Sequence, residues 1–466
     1  MGFSFKTKPY DFQVREFKRT KDEKTFAYFW EMGAGKTKMG IDLCRYIFYQ
    51  HKEVKKTLIV GPLIVLYNWL TEFEIHSNLK QHVTIIRGDE KKKKLILSDP
   101  HSSIFLINYD AIVGIEAALL KKKFDVIILD ESHYIKNNKA QRAKAMVRIG
   151  WDASYKFILS GTPVLNNLLD IFMQFLFLDN GETFGKNFYS FRNKYFKNEN
   201  EGTYNRFGKY VPRPGTLEEL QRLLQKKSSI IYKKDVMKFL PPKVYQNIFC
   251  QMGGEQSRIY STMAREYIAY VKDHADYLND PTVANNAATK IIRLNQITAG
   301  FIKTESGEEL WIGDSKIKAL LEILESIKGS KVVIWTVFTK TIHKLQEVLK
   351  EYDPCLLYSG IKDRQKEIDK FYGPSNILIG QASTGIGINL TCAKYAIYYS
   401  QTYNLGHRLQ SEDRTHRGGS QVHDSIGYFD LLHENKIDHA ISEALKKKEN
   451  MKNEFLKIAQ QLEGHI

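Results

Sequence analysis

The run Gly33-Ala34-Gly35-Lys36-Thr37 combines two glycines, a lysine and a hydroxyl, a set that can hold a phosphate group. It follows "FAYFW" (26–30), which reads as a buried strand, and it opens the apolar-periodic run "MGIDLCRYIF", which reads as a helix. At such a strand-to-helix turn the backbone N–H groups point outward and the helix dipole favours an anion. Gly33 and Gly35 allow close approach of phosphate oxygens at Ala34. Lys36 would reach the β/γ-phosphates, and Thr37 would ligate Mg²⁺. The usual phosphate-loop pattern begins with a glycine, and here that position is Trp30. A structural glycine turn beside a surface lysine therefore remains open until a metal-binding partner is found. "KFDVIILDESHYIKN" (123–137) supplies one. Asp130 and Glu131 stand at the C-terminal end of the apolar strand "VIIL", the edge where open α/β sheets bind ligands. Asp130 is placed to hold Mg²⁺ directly or through water, and Glu131 to orient or deprotonate an attacking water.

These residues need a sheet to carry them. Strand-like runs at 57–60, 83–86, 104–107, 126–129 and 157–159 alternate with helical or loop segments, as in a parallel sheet covered by helices. A second series follows at 331–335, 355–358, 376–380, 395–399 and 426–429. It contains no lysine phosphate loop, so the duplication is not a second phosphate-loop site. The stretch between them carries aromatic-rich helical patterns such as "NFYSFRNKYF" and "IYSTMAREYIAYV". Their helical spacing favours core packing over base stacking. The expected organisation is an α/β fold with a first domain over 1–180, a helical insertion and linker over 181–310, and a second domain over 311–466.

The chain has 466 residues, 43% of them apolar, and a formal charge of +16. That length gives room for large cores without disulfides or structural metal, and the dispersed Cys44, Cys250, Cys355 and Cys392 fit a reducing compartment. No stretch approaches the roughly 18 apolar residues of a membrane span, and the N-terminus lacks a signal-peptide pattern. The charge is spread over lysine clusters at 91–94, 121–123, 226–227, 233–234 and 446–448. Each alone reads as a solvated surface, but together they favour a polyanionic partner.

"EMGAGKT", "GPLIVLYNWLTEF", "LDESHYIKN", "LSGTPVLNNLLDIF", "STGIGINLTCA" and "QSEDRTHR" occur in one order along nearly the whole chain. In wording and order they resemble the Swi/Snf-type ATPases of helicase superfamily two, whose loop ordinarily lacks the first glycine. The resemblance implies two RecA-like parallel-sheet domains with helical insertions between them, ATP and Mg²⁺ as cofactors, and hydrolysis in the interdomain cleft. It implies that Arg414 and Arg417 are arginine fingers for the γ-phosphate, although alone they would read as surface partners of Glu412 and Asp413. Gln13 matches the glutamine that recognises adenine. Thr384, Gly385, Gly387 and Asn389 match the loop that contacts nucleotide and nucleic-acid backbone. Ser160, Gly161 and Thr162 match the segment that couples phosphate state to movement, with Ser160 in place of a common threonine. The implied function is a DNA-stimulated ATPase that translocates along double-stranded DNA. The alternatives are a strand-separating DNA or RNA helicase, with single-stranded DNA or RNA as its track, and a catalytically dead nucleic-acid-binding scaffold. The intact Lys36, Asp130, Glu131, Arg414 and Arg417 oppose the last. A monomer in a bacterial or phage-infected cytoplasm is expected, with a nuclear setting as the alternative.

Overall fold

The computed structural model describes residues 2–161, 168–199, 210–274, 281–304, 306–383 and 388–447. The chain divides into two compact units, Met1–Lys238 and Phe239–Ile466. In the first, strands β1 (Thr25–Trp30), β2 (Thr57–Gly61), β3 (Val83–Ile85), β4 (Ile104–Asn108), β5 (Val126–Asp130) and β6 (Tyr155–Ser160) fall where the apolar runs predict them. After a short antiparallel pair, β7 (Phe196–Asn198) and β8 (Tyr210–Pro212), the strand β9 (Ser228–Ile231) returns to the sheet. The resulting seven strands lie in the order β3-β4-β2-β5-β6-β1-β9, and every pairing is parallel. Helices Lys36–His51, Leu63–His76, Gln141–Gly150 and Ile171–Asp179 are among those that connect the strands. Both faces are covered, so β2, β4 and β5 are continuous apolar runs rather than alternating ones.

The second unit begins its sheet with β10 (Lys243–Cys250) and continues, after the small β11 (Phe301–Lys303) and β12 (Glu309–Trp311) hairpin, with β13 (Val332–Thr336), β14 (Cys355–Leu357), β15 (Ile377–Gln381), β16 (Tyr395–Tyr398) and β17 (Ile426–His433). Its order is β10-β17-β16-β13-β15-β14, again parallel throughout. The α/β expectation of two parallel sheets therefore holds. β9 and β10 add an edge strand to each sheet that the apolar pattern does not reveal.

The stretch 181–310 is shared between the units. Helices Phe188–Tyr195 and Thr216–Lys227 belong to the first, and helices Gly254–Asp273 and Pro281–Thr298 to the second. The aromatics of the two quoted helical patterns are core in part: Phe191, Tyr195, Phe196, Tyr260 and Tyr267 are buried and Tyr189 is exposed, while elsewhere in the stretch Tyr232, Phe239, Tyr245 and Phe249 are exposed. Among the described residues, no helix is long and apolar enough to cross a membrane.

Candidate nucleotide site

Parallel register brings the chemistry-bearing residues of the first unit to one edge. Phe29 of β1 lies opposite Ser160 of β6, and Leu159 of β6 lies opposite Asp130 of β5. The strands therefore end together, and Gly33–Thr37, Asp130–Glu131 and Ser160–Gly161 all follow at that edge.

The phosphate loop is built by backbone conformation. Gly33 and Gly35 have φ of 76° and 81°, the left-handed region that a Cβ disfavours. A Cβ on Gly35 would also stand 2.2 Å from Gln13 Nε2. Helix Lys36–His51 starts from Gly35 with no side-chain cap, so no side chain competes with an anion for its first N–H groups. Lys36 is buried and its Nζ donates to the Trp30 carbonyl at 2.9 Å. Trp30, at the position of the missing glycine, is a core residue: its indole is fully buried and donates to Ser229 Oγ of β9 at 2.6 Å. Gln13 is buried beside the loop, where its Nε2 donates to the Ala34 carbonyl at 3.1 Å and its Oε1 accepts from Tyr10 N at 2.9 Å. Thr37 is half-buried in the first helical turn.

At the end of β5, burial pushes the Asp130 carboxyl up to about 6; the neighbouring Glu131 adds to the rise, and Lys36 and the Trp69 indole pull against it. The Lys36 charge thus acts on the Asp130 carboxyl. A carboxylate pair with one member buried and the other half-buried is relieved by a cation. Glu131 takes the left-handed φ of 52°, and its Oε2 lies 3.4 Å from His133 Nδ1. A non-glycine residue in that region is uncommon and recurs at functional turns. The donor set fits a hard cation: carboxylate oxygens, a hydroxyl at Thr37 and a lysine for phosphate charge. Ser160 closes β6, buried, and a Cβ on Gly161 would meet only Met32 Cε at 3.9 Å. Thr162 lies outside the described residues.

In the second unit, Arg414 stands in the last turn of helix Leu405–Thr415. The helix ends before Arg417, so the two arginines are not a same-face helical pair. Arg414 is buried, with Nη1 3.4 Å from the Ile388 carbonyl, while the Arg414 carbonyl accepts from Leu390 N at 2.9 Å. The segment holding exposed Asn389 is thereby joined to the arginine helix. Thr384, Gly385 and Gly387 of the same loop lie outside the described residues. Glu412 is engaged elsewhere, by Arg408 Nε at 2.9 Å, Lys243 Nζ at 2.8 Å and Tyr245 OH at 2.7 Å. Burial would raise the Glu412 carboxyl, but Lys243 and Arg408 outweigh it and hold the group below its ordinary value.

One residue at the site escaped the sequence reading. Trp69, on helix Leu63–His76, is fully buried and donates from Nε1 to Asp130 Oδ2 at 2.8 Å. The available signal was chemical: a tryptophan in an apolar helix carries one N–H that must find an acceptor.

The chain matches the model of the SNF2-related domain over residues 28–304 and that of the helicase conserved C-terminal domain over 315–419. An uncharacterised ATP-dependent helicase of Mycoplasma genitalium is 26% identical over 92% of this chain and 39% of its own length. The ATP-dependent helicase FUN30 of Saccharomyces cerevisiae is 25% identical over 90% of this chain and 44% of its own. The chain thus spans about two fifths of the length of these curated relatives. The solved SWI2/SNF2 ATPase core of Sulfolobus solfataricus in complex with dsDNA is 21% identical, with a TM-score of 0.47 over 99% of this chain and 95% of that one.

Proposed function

The chain belongs to the SNF2-related family of ATP-hydrolysing enzymes, and on that premise we propose that it is a motor that hydrolyses ATP to move along duplex DNA. One observation carries the hydrolytic part: the buried Lys36 and Asp130 and the half-buried Glu131 stand together at the ligand edge of the first sheet. The glycine turn and the uncapped helix start bind phosphate oxygens through backbone N–H groups, and Lys36 offsets their charge. Gln13, fixed against Ala34, borders the loop and is the candidate for reading the base. Thr37 and Asp130 are the residues that would hold Mg²⁺, which would supply positive charge to offset that of the phosphates. Glu131 orients the attacking water and accepts its proton. Arg414 and Arg417 are the second unit's candidates for offsetting the charge that develops in phosphoryl transfer.

The DNA part rests on the order and wording of the motifs and on the charge of +16. A motor that grips phosphates through N–H groups, lysines and arginines binds with little regard to sequence and with steep salt dependence. The test is the ATPase rate, under one salt condition, with no nucleic acid, with single-stranded DNA, with duplex DNA and with RNA. Duplex DNA is expected to stimulate most, and Lys36→Ala to abolish the stimulated rate. Greater stimulation by single strands or RNA would replace the track, and hydrolysis surviving in Lys36→Ala would remove the phosphate site.

A further inference from the structure

We propose that Trp69 is a positioning residue that aims the Asp130 carboxylate at the Mg²⁺ of bound nucleotide, an inference that rests on the nucleotide site described above. The Asp130 side chain is held by two donors from different elements. Its Oδ1 accepts from the Glu131 backbone N–H at 3.0 Å, and its Oδ2 accepts from Trp69 Nε1 at 2.8 Å. Two donors on two oxygens fix both the position and the rotation of the carboxylate plane. Each oxygen keeps a further lone pair for a cation or its water. The indole bond is charge-assisted and lies in a fully buried setting, where water does not compete for either partner.

The same ring sets the distance to the phosphate loop. A Cβ on Gly40, one turn into helix Lys36–His51, would stand 2.8 Å from Trp69 Cη2 and 3.1 Å from Leu159 Cδ1. The indole is therefore seated directly on the backbone of the helix that begins at the phosphate loop, while its N–H grips the carboxylate at the end of β5. One rigid side chain thus connects the elements carrying Thr37 and Asp130, the two residues that would hold the metal. Groups that orient a metal ligand in this way commonly change metal affinity when they are removed.

Trp69→Phe keeps an aromatic ring against Gly40 and removes the N–H. Affinity for a fluorescent ATP analogue is measured in EDTA and across a Mg²⁺ titration, with Asp130→Asn in parallel. Trp69→Phe should bind the analogue in EDTA within about twofold of the unsubstituted chain and need about tenfold more Mg²⁺ for its tight-binding form. If Asp130→Asn raises the Mg²⁺ requirement and Trp69→Phe does not, the indole is only packing and the inference falls. If neither raises it, Asp130 is not a metal ligand, and the nucleotide-site reading fails with the inference.

A second measurement needs no altered side chain at the site. The chain has five tryptophans, and the Trp69 indole ¹⁵N–¹H resonance is identified as the one missing from the spectrum of Trp69→Phe. Titrated with Mg²⁺ in the presence of a non-hydrolysable ATP analogue, that resonance should move with the same midpoint as nucleotide tightening. A Trp69 resonance that stays fixed through the titration overturns the inference.

Discussion

Lys36 and Glu131 do different work on one phosphate, so their removal should fail in different ways. Lys36→Ala should lose hydrolysis chiefly by weakening nucleotide binding. Glu131→Gln should bind ATP and turn it over slower by about 10²–10⁴-fold, the usual worth of a positioned base. Equilibrium binding and single-turnover hydrolysis separate the two, and brisk turnover in Glu131→Gln would remove it from the water-activating role. Replacing Arg414 or Arg417 by alanine should cut DNA-stimulated turnover far more than ATP binding. Lysine should be a poor substitute, because it lacks the planar fork. A variant with near-normal stimulated turnover would exclude that arginine from the reaction. Lys36, Asp130 and Glu131 were legible in the sequence because each stands in a short linear motif whose neighbours dictate its setting. Trp69 was not, because its partners, Asp130 and Gly40, come from two other elements. Trp30 was legible only as an exception to a pattern; its place in the core depends on Ser229, far along the chain.

Elements were legible where both faces are buried. β2, β4 and β5 announce themselves as unbroken apolar runs, since helices cover the sheet on either side. β9 and β10 did not, because each is an edge strand. Ile230 of β9 is exposed, as are Val244, Tyr245 and Phe249 of β10, so core-facing periodicity is weak in both. The segment "QSEDRTHR" is helical only as far as Thr415, for a local reason. His416 leaves helical geometry at φ −118° and ψ 77°, which stops the helix between the two arginines. The close contact between Gly40 and the Trp69 ring yields a stability prediction. Gly40→Ala drives a methyl against the buried Trp69 ring and Leu159, neither of which has room to retreat. It should destabilise the first unit by about 1–3 kcal/mol, the usual cost of overpacking. Denaturant unfolding followed in that unit checks this, and an unchanged midpoint would mean that the helix can shift off the indole without cost.

The two units should differ in their response to acid. In the second, Lys316 Nζ lies 2.7 Å from Asp438 Oδ2, and His433 Nδ1 lies 3.2 Å from the same oxygen, all three side chains being buried. Burial holds the His433 ring below its ordinary value despite Asp438, and Lys316 and His433 outweigh burial to hold the Asp438 carboxyl low. Both folded values are depressed, so in both cases the unfolded chain takes up protons first. Stability should begin to fall as pH drops below about 6.5, where an unfolded histidine protonates, and fall further below about 4, where an unfolded aspartate does. Hydrogen exchange resolved by unit, at neutral pH and near pH 5, should find β17 and helix Ile437–Lys447 losing protection on acidification. Undiminished protection there would contradict the assignment.

At this scale the sequence revealed two parallel sheets and the unit that carries the phosphate loop, because motif order survives where packing detail does not. The division of 181–310 between the units was not legible, since helical spacing says which face is buried but not against which sheet. A chain that tracks phosphates along a duplex has no need to break stacking of about 1.4 kcal/mol per base-pair step. The most direct measurement compares ATP-dependent displacement of a third strand from a triplex with separation of a tailed duplex of similar length. Triplex displacement without duplex separation is the predicted result; efficient duplex separation without triplex displacement would contradict the account and make this chain a strand-separating helicase.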